Sequence, residues 1–137
     1  PPWGQGVTGS SPAPASLLGD GAALREIMAL AGPEMAILIL EQMRTDLAGV
    51  AAALLPAISA CNWPIIRAQS HVLVALAGTI GAMRLHQLAI DANTAAHDQA
   101  SARLADIAPQ LLADLAALQA LLGDQATGTR AGTGAAA

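Results

Sequence analysis

The chain has 137 residues, six basic and ten acidic side chains, a net charge of −4 and a pI of about 5.0. That length suits one domain, and the acidic balance argues against a general nucleic-acid binder. A lone cysteine, Cys61, excludes an intrachain disulfide and any multi-cysteine metal site. Phe, Tyr and Lys are absent and Trp3 and Trp63 are the only aromatic residues, so the core must be built from Leu, Ile, Val, Met and Ala. This is a composition for closely packed helices.

Residues 1–16 hold four of the eight prolines, three glycines and no charge, and read as a flexible tail. Residues 123–137, rich in Gly, Thr and Ala, read the same way, which leaves 17–122 as the ordered domain. Asp20 can cap a short helix through Leu24, Ile27, Met28 and Leu30 that Gly32 would end. Pro33 suits the first position of the next helix, with Glu34 favourable near its positive end. Along it Leu40, Met43, Leu47, Val50 and Leu54 recur at spacings of three and four, the stripe of a bundle helix. Pro56 is expected to bend or end it.

Asn62 is the expected N-cap of a helix with Pro64 in its first turn. That helix should stop near Gly78, with Thr79 capping the next one, whose buried side is Leu85, Leu88, Ala89 and Ala92. After a joint at 94–98, a long helix carries Leu104, Ala108, Leu111, Leu115, Leu118 and Leu122 inward, with Pro109 a candidate kink. No strand-like alternation is present. The expected fold is all-α, an antiparallel up-down four-helix bundle with a short extra N-terminal helix.

No N-terminal basic start leads into an apolar run, so no signal peptide is expected. Residues 47–66 are uncharged and long enough to span a bilayer, but Pro56, Asn62 and Pro64 interrupt them and Ala supplies much of their hydrophobicity. The reading is a cytoplasmic protein with no membrane insertion.

Charge is unevenly distributed. Between Asp46 and Asp91 there is no acidic residue, only Arg67 and Arg84. Within this window, at about 100° per residue, Ile66, Leu73, Leu76 and Ala77 share one helix face and His71 the opposite one. Arg67, Ala68, Val74, Ala75 and Gly78 lie beside it. The segment suits an anion or an acidic partner surface.

An imidazole so placed has three chemical roles open to it. A general base wants an orienting carboxylate, and no Asp or Glu lies within a helical turn. A metal ligand wants convergent partners, which His86 and His97 do not supply at their spacing. A nucleophile that receives a group from another macromolecule needs exposure, a neutral ring and charge stabilisation of what it receives. His86 and His97 read as flank and joint residues, and Cys61 as packing.

The same residues resemble the histidine-containing phosphotransfer (HPt) domain of multistep phosphorelays. The match is His71, Leu73, Gly81, Ala82, Leu85 and Leu88, with Gly78 in the small-residue stretch between. The helix and turn from Leu47 to Trp63 are similar to those that precede the histidine in that family. The likeness covers about Leu17 to Leu122, its specific motif only residues 70–88. Two positions depart from the pattern: Val74 stands where the family commonly has lysine, and Ala75 where it commonly has glycine.

The resemblance implies a phosphorelay intermediate and stoichiometric carrier, not a turnover enzyme. His71 would accept a phosphoryl group from a receiver-domain aspartate and pass it on. Arg67, one turn earlier, would replace the missing lysine. Ala68, Val74, Ala75 and Gly78 would form the dry centre of the interface, with Arg67 and Arg84 at its rim, and Asn93 would orient the imidazole. Partners would be response-regulator receiver domains or a hybrid histidine kinase. No cofactor or metal would be bound by this chain, magnesium being supplied by the receiver. The alternative is a degenerate bundle that keeps the fold for protein binding or dimerisation without phosphotransfer.

Overall fold

The structure, a computed structural model, describes the backbone of residues 17–136 and the side chains of residues 17–125; the predicted tail over 1–16 lies outside the described residues. Among the described residues four helices follow one another: α1 (Ala22–Ala60), α2 (Trp63–Ile80), α3 (Met83–His97) and α4 (Ser101–Ala136). No strand occurs among the described residues. Each helix packs on two others, α1 and α3 each lying against both α2 and α4, so the four close around one core. Joints of two or three residues have the length of up-down bundle connections.

The core follows the leucine stripes. Leu40, Leu47 and Leu54 of α1, Ile66, Leu73 and Ile80 of α2, Leu85 of α3, and Leu104, Leu111, Leu115, Leu118 and Leu122 of α4 are almost fully buried. Each such side chain contributes about 1.5–3 kcal/mol of burial. Four alanines of α3, Ala89, Ala92, Ala95 and Ala96, are also sealed, which lets that helix sit close to its neighbours. By length and hydropathy Ser101–Gln125 could cross a membrane, but its leucine stripe faces the bundle.

Local chemistry explains the helix boundaries. Gly32, at φ 82° and ψ 166°, interrupts the helical backbone of α1 and divides a segment over 22–31 from the longer run beginning at Pro33. The Asp20 carboxylate accepts the backbone N–H of Ala22 at 2.9 Å. Asn62 caps α2 through its side-chain oxygen, which accepts from the N–H of Ile65, and Pro64 occupies the first turn. Pro56 does not end α1, which continues to Ala60. The carbonyl that Pro56 leaves without a partner belongs to Ala52, which is exposed and open to water. Pro109 is carried inside α4 in the same way, with exposed Ala105 four residues before it.

Several boundaries differ from the sequence expectation, among them the α3–α4 joint, which is Asp98 to Ala100 and not 94–98 because α3 runs on to His97. α2 does not stop at Gly78 but runs through Thr79 to Ile80, and Thr79 caps nothing. Gly81, at φ 91°, is the terminating residue: its N–H and that of Ala82 both bond the carbonyl of Ala77 at 2.9 Å. A left-handed residue placed there satisfies the last carbonyls, so the helix ends on the second glycine and not the first. Helical backbone also continues beyond Leu122, the last buried residue among the side chains described, to Ala136, where the sequence expectation is a flexible tail over 123–137.

Candidate functional site

His71 stands at the middle of α2, exposed, and its ring makes no hydrogen bond among the described residues. The inward positions around it are Ile66, Ser70, Leu73 and Ala77, all fully buried, and they anchor the helix so that the imidazole points away from the core. Arg67, four residues earlier, is half-buried and forms no ion pair among the described residues. Ala68 and Ala75 are exposed and Gly78 is half-buried. A small-residue surface therefore surrounds the histidine, with a guanidinium one turn away and no carboxylate on its own helix.

Three of the predicted site residues take other places. Val74 is half-buried and packs against the core. Arg84 does not stand free at a rim: its Nε donates to Asp114 Oδ2 at 2.8 Å and its NH2 group to Oδ1 at 2.9 Å. Asp114 is completely buried on α4 and also accepts from Gln110 at 2.7 Å. The guanidinium is committed to this bidentate pair, and the hydrogen bond to Asp114 holds it above the ordinary arginine range.

Asn93 does not orient the His71 ring. Its Nδ2 donates to the backbone carbonyl of Arg67 at 3.1 Å and to Ser70 Oγ at 3.0 Å. The Ser70 hydroxyl in turn donates to the same Arg67 carbonyl at 3.2 Å. In an α-helix the carbonyl of residue 67 is the partner of the N–H of residue 71. Asn93 thus grips the turn that carries His71 through its backbone, because its short side chain spends its donors there.

Two residues that the sequence reading passed over belong to this region. Ser70 is one; its signal is the inward spacing Ile66, Ser70, Leu73, Ala77, which places a hydroxyl in the core and demands a partner. The other is His86, whose Nδ1 lies 2.9 Å from the carbonyl oxygen of Val74. Its ring covers Gly78: a methyl group there would sit 3.2 Å from Nδ1 and 3.3 Å from Cε1. A glycine inside a helix, not at its end, was the available signal. Val72, 42% exposed, and Ile65, 39% exposed, extend the apolar surface beyond the alanines.

Among the described residues no group of three or more His, Cys, Asp or Glu side chains converges to hold a metal ion. Comparison of the chain with protein-family models, with curated proteins and with solved structures finds no match.

Proposed function

We propose that this chain is a phosphoryl carrier of the HPt type, cycling a phosphoryl group between His71 and receiver-domain aspartates. The observation that carries the reading is the exposed, unpaired imidazole of His71 on a small-residue helix face that has a free arginine and no acid. In the proposed step Nε2 of neutral His71 attacks phosphorus in line. The Nε2–P bond forms, the acyl O–P bond breaks, and the receiver aspartate leaves as a carboxylate while the proton stays on Nδ1. Arg67 faces the incoming charge. Magnesium and the remaining charge stabilisation belong to the receiver partner. Transfer is reversible because both phosphorylated forms are high-energy donors, and the chain works stoichiometrically, in a cytoplasmic setting, without a cofactor of its own.

The test is phosphotransfer profiling against a panel of phosphorylated receiver domains or a hybrid kinase. A cognate receiver labels the wild type and leaves His71→Gln unlabelled; equal labelling of both sinks the reading.

A second reading has one specific observation in its favour. Val74, at the family's usual lysine position, is packed against the core and offers no charge, as a bundle kept only for protein binding or dimerisation would allow. That reading predicts partner binding indifferent to His71→Ala and no labelling by any receiver.

A further inference from the structure

We infer that His86 is a specificity-determining residue of the docking face, presenting a fixed hydrogen-bond acceptor to an N–H or O–H donor on the partner. The inference rests on the proposed docking of a receiver at His71, here taken to extend from the small-residue face of α2 onto the adjoining α3. α2 carries no acidic residue, the one carboxylate of α3, Asp91, is engaged by Gln87 and Arg103, and Arg67 is an unpaired cation, so this face complements the acidic surface expected of that partner.

The chemistry follows from the one bond that the ring makes. A carbonyl oxygen can only accept, so His86 Nδ1, 2.9 Å from the Val74 oxygen, carries the proton. In the neutral ring Nε2 is therefore left with its lone pair. Every side-chain nitrogen or oxygen sealed from water in a non-exposed residue has a hydrogen-bond partner among the described residues. His86 is half-buried and its Nε2 has none, so Nε2 reaches water. The backbone thus fixes which nitrogen faces outward and what it can bind.

Gly78 supplies the independent support. An internal glycine costs an α-helix about 1 kcal/mol relative to alanine, and here its missing methyl group leaves room for the ring to approach α2 this closely. Val74 and Gly78 are three and seven residues beyond His71 on adjoining positions of the helix surface. The acceptor therefore flanks the phosphoryl-accepting face, where it selects among partners that share the same transfer chemistry.

His86→Asn separates the two nitrogens, because an asparagine amide can replace Nδ1 as donor to Val74 while removing the outward acceptor. The experiment measures Kd of the full chain for the unphosphorylated receiver domain that labels His71, together with the urea midpoint. The expected result is an about fivefold loss of affinity with the midpoint retained; unchanged affinity in a folded variant overturns the inference. If the variant unfolds, imidazole nitrogen NMR of the His71→Gln chain decides. Adding receiver should shift His86 Nε2 and leave exposed His97 unmoved, and an unmoved His86 Nε2 overturns the inference. Labelling of His71 with normal His86→Asn binding removes this inference alone, whereas a chain that no receiver labels removes the docking and the inference with it.

Discussion

The side-chain amide of Asn93 on α3 holds the buried hydroxyl of Ser70 on α2 at 3.0 Å, one residue before the exposed imidazole of His71. This bond and its companion to the Arg67 carbonyl form one polar tie between the two helices at the candidate site, beside the His86 contact with the Val74 carbonyl. Asn93→Ala would leave the Ser70 oxygen sealed without its donor. Urea unfolding should show a loss of about 1–3 kcal/mol. Ser70→Ala removes the need as well as the partner and should cost less, with a coupling of about 1 kcal/mol in the double-mutant cycle. Strict additivity would contradict the geometry.

Arg84 and Asp114 form a further polar joint, between α3 and α4. Replacing Arg84 with Met leaves Asp114 buried with Gln110 as its remaining partner. Because the arginine side chain is 47% exposed, the loss should be about 2–3 kcal/mol, below that of a fully buried pair. The sign of the pH effect follows from the raised arginine pKa: its stabilisation is complete below the unfolded value and is lost only as pH rises through the folded one. The difference between wild type and Arg84→Met should therefore stay level from about pH 6 to about pH 9 in denaturation curves, and a fall across that window would refute the assignment.

Gly78→Ala sets two effects against each other. Alanine favours the helix by about 1 kcal/mol, while its methyl group would crowd the His86 ring and strain the bond to Val74. Thermal unfolding should find the single substitution within about 0.5 kcal/mol of neutral, and the same substitution in a His86→Ala background stabilising by about 1 kcal/mol. Equal effects in both backgrounds would mean that the ring does not depend on the glycine.

Gly81→Ala should destabilise without such compensation. Position 81 requires a φ of 91°, and an added methyl group would lie 3.0 Å from Ala23 Cβ. The left-handed backbone alone costs a non-glycine residue about 1–2 kcal/mol. A melting temperature equal to that of the wild type would show that the α2–α3 turn can adopt another conformation.

If the chain is the phosphoryl carrier proposed above, Arg67→Ala should slow phosphoryl acceptance by about tenfold, the value of one charge-assisted hydrogen bond in the transition state. Since the side chain is only half-buried and unpaired, stability should change by less than about 0.5 kcal/mol. Single-turnover transfer from a cognate receiver checks it. A normal rate would leave the missing lysine at position 74 without a replacement.

The sequence by itself determined the all-helical class, the inward leucine stripes, the Asn62 cap, the break at Gly32 and the outward placement of His71. All are written in local spacing or in one residue's backbone chemistry, which neighbours along the chain are enough to express. The tertiary structure decided what the polar side chains do. Asn93 lies 23 residues from Ser70, and Arg84 lies 30 from Asp114. Whether an amide reaches a ring or a carbonyl, or an arginine faces a partner or a buried carboxylate, depends on how closely two helices approach. Sealed alanines on α3 set that approach, and no helical periodicity encodes it. For the same reason Gly78 read as a helix end, when its purpose is the imidazole of His86 resting on it from the next helix.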